Sequence, residues 1–412
     1  MRPDPREPEA QVRQLTEGDL PAALDLVCST WQLVPPASHE AMVRHDPWRE
    51  RQGAFGAFVG PRLVSQARFH WRPVRLGQAI VHLGHVSCVV THPDFRHRGL
   101  GQQVMRAGLA WMQQAGCHVS LLTTGVPGFY ARLGWGQIET PYYRLPVAIS
   151  PRMGSGRYRV CPAPTFPARA ELGAVYAAGC GRHPISVART PEYWEGWARW
   201  SRDNPWFGLT DNEWSVAYEG KRLVAYGGLG SSLHHPEAGA IVEACALPGA
   251  EEALLDVFDH LVARARREAR ESIDLNLPLD HPLVERLAPI AERRTHRVTM
   301  LRVVSLPALL EALRLELERR AQRLSRPVQV RLECAVGATT LLADKGSVAI
   351  SDALVPARAD FGGAGLAALM LGFAPSSQLV ERGELEAAGS VLEALEVLFP
   401  WQRSHYWQID GL

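Results

Sequence analysis

"CVVTHPDFRHRGLGQQVM" occupies residues 88–105. An apolar, strand-like run from Val86 to Val90 leads into it. A loop with two arginines, two histidines and two glycines follows, and helical spacing begins at once. A strand-to-helix loop exposes several backbone N–H groups, and the start of the helix adds partial positive charge. Gly99 and Gly101 keep side chains out of the approach, while Arg96 and Arg98 supply cationic groups. Arg96-His97-Arg98-Gly99-Leu100-Gly101 is therefore a candidate pyrophosphate cradle, opening a helix from Gln102 to Gln114.

The flanks repeat the alternation of strands and helices from Val12 to Val147. "VRQLT" reads as a strand and Asp19 to Trp31 as an amphipathic helix. A hairpin turns at Gly60-Pro61, a long strand covers Ala79 to Thr91, and "CHVSLLTT" is a buried strand. "GFYARLGWG" then sets Tyr130 on a short turn, with Gly134-Trp135-Gly136 leading into a further strand. A Pro/Gly/Ser stretch from Ser150 to Arg157 reads as a linker.

Beyond it the same grammar returns. "SVAYEGKRLVAYGGLG" echoes the earlier hairpin, and "IVEACALPGAEEALLDVFDHLVARA" repeats strand, short loop and helix, which points to an internal duplication. The second copy has "LPGAEEA" where the first has "FRHRGLG", so it lacks the basic glycine loop. From about Met300 the pattern changes to a charged helix (Leu306 to Leu324), three meander strands and two closing helices, which reads as a separate α+β domain.

At 412 residues the chain is long enough for two or three domains. Hydrophobic residues make up 46% and charged residues 21%, an ordinary globular balance. Lys+Arg at 44 against Asp+Glu at 43 gives a formal net charge of +1. No global charge favours nucleic acid or an anionic membrane. The seven cysteines form no CxxC pair, so free thiols in a reducing compartment are expected. The polar, proline-rich start resembles neither a signal nor a transit peptide, and no apolar run reaches membrane-spanning length, so a cytoplasmic protein without a membrane is expected.

Strand, RxxGxG, helix, strand and Tyr-x-x-x-Gly-aromatic, in that order, resemble the GNAT superfamily of N-acetyltransferases across Val86 to Trp135. The resemblance implies that the loop holds the pyrophosphate of acetyl-CoA, with Arg96, His97, Arg98, Gly99, Leu100, Gly101 and Gln102 around it. It implies that Val89, Val90 and Thr91 meet the pantetheine arm and acetyl carbonyl through backbone groups, with Gly125 and Val126 also beside the cofactor. The whole layout resembles the enhanced intracellular survival family. That likeness implies a GNAT domain at 1–150, a degenerate second GNAT-like domain at 151–299, and a sterol-carrier-protein-like α+β domain at 300–412. It further implies Tyr130 as general acid, the terminal carboxylate of Leu412 as general base, a primary amine on a small polycation or lysine as acceptor, and a hexamer. Trp135 stands where Phe or Tyr is usual.

Other residues receive plainer assignments. Cys88 and Cys117 read as small core residues, and His92 and His97 as solvated loop residues. His234-His235 lacks metal-ligand spacing, and no metal is expected. Asp25, Glu40 and Asp410 are candidate walls of a cation-accepting pocket. The rival functions are a hydrophobic-ligand carrier and a non-catalytic acyl-CoA sensor. The intact loop with Tyr130 favours the enzyme.

Overall fold

A computed structural model describes residues 9–31, 36–163, 169–202, 214–232, 237–296 and 299–410. The first half runs β1 (Gln11–Gln14), α1 (Leu20–Trp31), α2 (Pro36–His45), β2 (Gly53–Val59), β3 (Arg62–Leu76), β4 (Ala79–Thr91), α3 (Leu100–Gln114), β5 (Val119–Thr123), α4 (Pro127–Ala131) and β6 (Gly136–Gln137). Gly60 supplies the positive φ that the β2–β3 turn needs. α3 carries the chain over from β4 to β5, so these two strands are parallel. It approaches the sheet closely because Gly108 lies against the Phe69 ring, where any side chain would overlap it. On the opposite face Leu26 and Val27 of α1 pack on Leu63, Cys88 and Val90.

The second half runs β7 (Thr140–Pro146), β8 (Arg159–Pro162), α5 (Arg169–Ala178), α6 (Pro191–Arg202), β9 (Trp214–Glu219), β10 (Arg222–Ser231), β11 (Ala238–Ala246), α7 (Ala253–Arg267), β12 (Ser272–Leu275), α8 (Pro282–Leu287) and β13 (Glu292–His296). The remainder is β14 (Thr299–Val303), α9 (Leu306–Ala321), β15 (Val328–Cys334), β16 (Gly337–Asp344), β17 (Ser347–Ser351), β18 (Arg358–Phe361), α10 (Gly365–Met370), α11 (Ser376–Glu381), β19 (Leu385–Ala387) and α12 (Gly389–Leu398).

Three sheets result, ordered β1-β2-β3-β4-β5-β14-β6, β13-β7-β12-β11-β10-β9-β8 and β17-β16-β15-β18-β19. The two large sheets exchange strands across the limits expected at 150 and 299. β7 lies between β12 and β13 of the second sheet, whereas β14 inserts between β5 and β6 of the first. A period-2 pattern identifies a strand but not its partner, which is why the exchange is invisible in the sequence.

The third sheet is not a detached unit either. Leu309, Leu313 and Leu317 of α9 share one core with Leu76 and Leu83 of the first sheet and with Leu332 and Leu341 of the third. The expectation of seven free thiols is corrected: Cys180 and Cys245 are joined by a disulfide, 65 residues apart in sequence. Cys88 and Cys117 are buried and free. Among the described residues no helix is long and apolar enough to cross a membrane.

Candidate active site

β4 and β5 pair from Leu83–Val119 to His85–Leu121, and there the pairing stops. β5 ends at Thr123, while β4 continues to Thr91 with no strand on that side among the described residues. Beside this fork β4 carries a bulge. Gln66 pairs with Val90 and Arg68 with Ser87, so Cys88 and Val89 face the single Ala67. Cys88 takes a positive φ of 51° to do so. A bulge leaves one residue out of the ladder and twists the strand locally, which suits a backbone surface offered to a ligand. Val89 is half-buried, and Val90 is buried against α1. The Val90 carbonyl accepts from Ser65 Oγ at 3.1 Å, and Ser65 also meets Thr91 Oγ1 at 2.8 Å.

The cradle follows immediately. His97 and Gly99 have φ of 64° and 76°, and Gly99 caps α3 in the left-handed conformation. Leu100 is buried, which anchors the helix start, while Gly101 and Gln102 are half-buried. A Cβ at Gly101 would lie 3.3 Å from both Phe129 Cζ and Thr91 Oγ1, so the strand end, the helix start and α4 meet at this glycine. The two arginines are turned onto the loop itself. Arg96 Nε donates to the Thr91 carbonyl at 3.3 Å. Arg98 donates to the Asp94 carbonyl at 3.2 Å and covers the Phe95 ring. What the loop offers an anion directly is therefore the backbone of a 15-residue helix opening, with the guanidinium groups beside it. His92 is held by Arg62 at 2.7 Å and accepts the Asp94 N–H, and His97 is exposed.

Tyr130 is buried on α4, its ring edge-on to Phe129 at 4.9 Å and to Trp135 at 6.3 Å. Burial pushes its phenol up to about 12, although the Thr124 hydroxyl pulls the other way. At neutral pH the group is a proton donor, not a phenolate. Trp135 fits its position because its indole Nε1 donates to Ser120 Oγ at 3.2 Å, a bond Phe could not make. Gly125 and Val126 are exposed on the approach to α4, and the Val126 N–H donates to Thr124 Oγ1 at 3.0 Å.

Leu412 lies outside the described residues, but the tail leading to it is firmly held. Tyr406 stacks on His85 of β4 with ring centroids 6.0 Å apart. Trp407 Nε1 donates to Ser186 Oγ at 2.9 Å. Asp410 is buried and receives two bonds from Arg189, at 3.0 and 2.8 Å, and one from the Tyr193 hydroxyl at 2.5 Å. Arg189 also bonds Glu243, so Asp410 is neutralised by a buried cation that it shares with another carboxylate. Of the other candidate wall residues, Asp25 is exposed on α1, and Glu40 on α2 pairs with Arg44 at 2.7 Å. His234 and His235 lie outside the described residues.

Sequence reasoning missed the polar face beneath the tail. Antiparallel register places Arg68, His70 and Arg72 of β3 opposite Ser87, His85 and Leu83 of β4, on the face away from α3. Asp46 ion-pairs with Arg72 and lies 3.8 Å from His70 Nδ1. Burial opposes ionisation of Asp46, yet Arg72 and His70 hold its carboxyl below the ordinary range. Burial lowers His70 and, helped by His70 and Arg72, lowers His85 further. The available signal was the alternation of Arg68, His70 and Arg72 on one strand and of His85 and Ser87 on the next.

Residues 11–138 match the family model of the acetyltransferase (GNAT) domain. No curated protein matches the chain in sequence. Solved structures resemble it over nearly its whole length. A probable N-acyltransferase from Enterococcus faecalis V583 is 16% identical with a TM-score of 0.76, covering 97% of each chain. A GCN5-related N-acetyltransferase from Anabaena variabilis is 14% identical with a TM-score of 0.74, covering 97% of this chain and 99% of that one. Eis1 from Mycobacterium abscessus is 18% identical with a TM-score of 0.65, covering 97% and 100%. At these identities the likeness is one of fold, and the match to the acetyltransferase (GNAT) family model extends over residues 11–138.

Proposed function

We propose that the chain is an acetyl-CoA-dependent N-acetyltransferase acting on a primary amine of a small polycation or a lysine side chain. The observation that carries this reading is the meeting of three elements at Gly101: the end of β4, the opening of α3, and the α4 turn that bears Tyr130. Helix-opening N–H groups from Gly99 to Gln102 hold the pyrophosphate, and the Val89–Thr91 edge of β4 meets the pantetheine arm and acetyl carbonyl. When bound, acetyl-CoA supplies the activated acetyl group.

Tyr130 delivers a proton to the departing sulfur. A thiolate has a conjugate acid near ~8.5, and a phenol that stays protonated throughout the neutral range can serve it. Where Leu412 ends the chain, its carboxylate receives a proton from the acceptor nitrogen, carried to the first half by the docked tail. A sterol-carrier-like role for the C-terminal unit and a hexameric assembly belong to the same family-based reading.

Acetyl-CoA mixed with polyamines, aminoglycosides or lysine peptides, with free thiol followed, tests the activity. The expected result is acceptor-dependent thiol release that Tyr130→Phe lowers on the order of 10²-fold in kcat. Thiol release equal in Tyr130→Phe and wild type removes Tyr130 from the acid role.

A further inference from the structure

His70 is wholly buried, yet it is not packed as a spacer. Its Nε2 lies 2.8 Å from Ser87 Oγ, and its Nδ1 lies 3.8 Å from an Asp46 oxygen, with no hydrogen-bond partner of its own. Ser87 is half-buried and immediately precedes the bulge at Cys88–Val89. Carboxylate, imidazole and hydroxyl are thus neighbours, and Ser87, whose Oγ also lies 3.6 Å from Cys88 Sγ, ends the series two residues before the Val89–Thr91 edge assigned to the acetyl group. We propose that Asp46, His70 and Ser87 form a proton relay that takes the first proton from the ammonium form of the acceptor. This rests on the acetyl-transfer reading above.

The proton balance calls for such a group. An amine arrives mostly as R–NH3+, since a lysine-type amine has a pKa near ~10.4. Its nitrogen must shed two protons to become the N–H of an amide. The first must leave before the lone pair can attack. The second leaves as the C–N bond forms and the C–S bond breaks, while Tyr130 gives one proton to sulfur and is later reprotonated. The net release is one proton to solvent. The Leu412 carboxylate accounts for one nitrogen proton, and the relay accounts for the other.

In the relay the ammonium N–H is accepted by Ser87 Oγ, whose own proton passes to His70 Nε2. The imidazolium so formed faces the Asp46 carboxylate. This requires the tautomer with hydrogen on Nδ1, the orientation that Asp46 favours. His70 is faced by Arg68 and Arg72 on its own strand, by His85 on β4 at a ring distance of 6.2 Å, and by Asp46 from the segment after α2. Burial first, and the two arginines after it, outweigh the pull of Asp46 and favour the neutral imidazole, which can accept a proton. His70 is a positioning residue in this scheme, because it acts through Ser87.

The test uses the full chain with acetyl-CoA and three acceptors, spermidine, kanamycin and a lysine peptide, keeping the fastest. Ser87→Ala and His70→Gln are each expected to lower kcat about 10²-fold at pH 7, with the KM for acetyl-CoA unchanged. Ser87→Thr, which keeps the hydroxyl, should recover most of the rate. The deciding readout is the pH profile: above pH ~10 the acceptor arrives already neutral, so the deficit of both variants should shrink toward nothing. A deficit that stays constant with pH, or a Ser87→Ala variant with wild-type kcat at pH 7, overturns the relay. Should His70→Gln fail to fold, Ser87→Ala alone decides. A wild-type chain releasing no thiol with any of the three acceptors removes the transferase reading, and the relay with it.

Discussion

β4 in the first half and β11 in the second are the same strand used twice. β4 pairs with its parallel neighbour as far as His85 and then runs free to Thr91. β11 pairs with β12 as far as Ile241 and then runs on to Ala246. Each strand bulges just past its fork, at Cys88–Val89 and at Val242. There the likeness ends. In the second half the space beside the fork is filled: His281 Nε2 meets the Ala244 carbonyl at 3.0 Å, Cys245 is tied to Cys180, and Gly179 packs onto the Ala246 carbonyl. The helix opening is also satisfied from within. Glu251 accepts the Gly249 N–H at 3.0 Å, while Asp256 in the first turn of α7 is taken up by the N–H groups of Gly156 and Tyr158 from the segment before β8. A phosphate would meet the Glu251 carboxylate here, whereas α3 opens on Gly99 with no side-chain cap. One scaffold therefore leaves a strand edge open, the proposed site, or plugged, according to what lies beside it. Calorimetry should accordingly report one CoA per chain, and two equivalent sites would break the comparison.

The plug should be worth most to stability. A cross-link spanning 65 residues stabilises by about 4 kcal/mol in the chain-entropy picture. Cys180→Ser should lower the denaturation midpoint accordingly without creating a second CoA site, because His281 and Glu251 remain. A variant as stable as wild type would mean that the second half does not depend on this closure.

The next effect concerns the tail that both halves grip. Adding or deleting one residue at Leu412 shifts the carboxylate by ~3.3–3.6 Å. Proton transfer tolerates about 2.6–3.2 Å between heavy atoms, so kcat should fall on the order of 10²-fold. Leu412→Phe should keep most of the activity, since the carboxylate stays in place. CoA binding should hold in all three. An extended chain with unchanged kcat places the second base elsewhere.

Much of this architecture was legible because it is written locally. Ala79–Thr91 was expected as one strand, and the basic loop and the helix after it lie where their spacing placed them. What escaped depends on partners distant in sequence. The bulge needs Ala67 on β3 as well as Cys88 and Val89. The β7–β14 exchange and the Cys180–Cys245 bridge join segments 65 residues or more apart. Asp46, His70 and Ser87 look like three unrelated polar residues until the β3–β4 register stacks two of them on one face. Arg96 and Arg98 were read as cationic groups of the cradle, and their bonds to the Thr91 and Asp94 carbonyls could not be read from the sequence.

A smaller effect probes the first half's opening directly. Gly101→Val adds bulk where a Cβ already sits 3.3 Å from Phe129 and Thr91, so α4 must give way. The KM for acetyl-CoA should rise roughly tenfold, about 1.4 kcal/mol of lost binding, with kcat changed less. Unchanged CoA affinity would show that this contact lies outside the cofactor path.

The smallest effect should be a pH dependence seated in the plug. His281 is buried, accepts the Leu283 N–H on Nδ1 at 3.2 Å and serves the Ala244 carbonyl through Nε2. Both bonds can exist together only in the neutral ring protonated on Nε2. Burial, ahead of the opposing pull of the Ala244 carbonyl, brings its pKa down to about 4. An unfolded histidine titrates near ~6.5, so between pH 6.5 and 4 the unfolded chain binds the additional proton. The stability from this residue is therefore complete above pH ~6.5 and is lost as the pH falls toward 4. His405, lowered to about 3 chiefly by burial, adds in the same direction. His281→Asn keeps a side-chain acceptor for the Leu283 N–H but removes the titrating ring. Its melting temperature at pH 7 should fall, since the bond to Ala244 is weakened, while its further drop between pH 6.5 and 4.5 should be shallower than in wild type. The expected difference in slope corresponds to on the order of 1 kcal/mol, or roughly 1 °C for a chain of 412 residues. Parallel melting curves for the two proteins over that range would show that the strand edge stays closed when His281 is protonated, and that the disulfide and Gly179 hold the second fork shut without it.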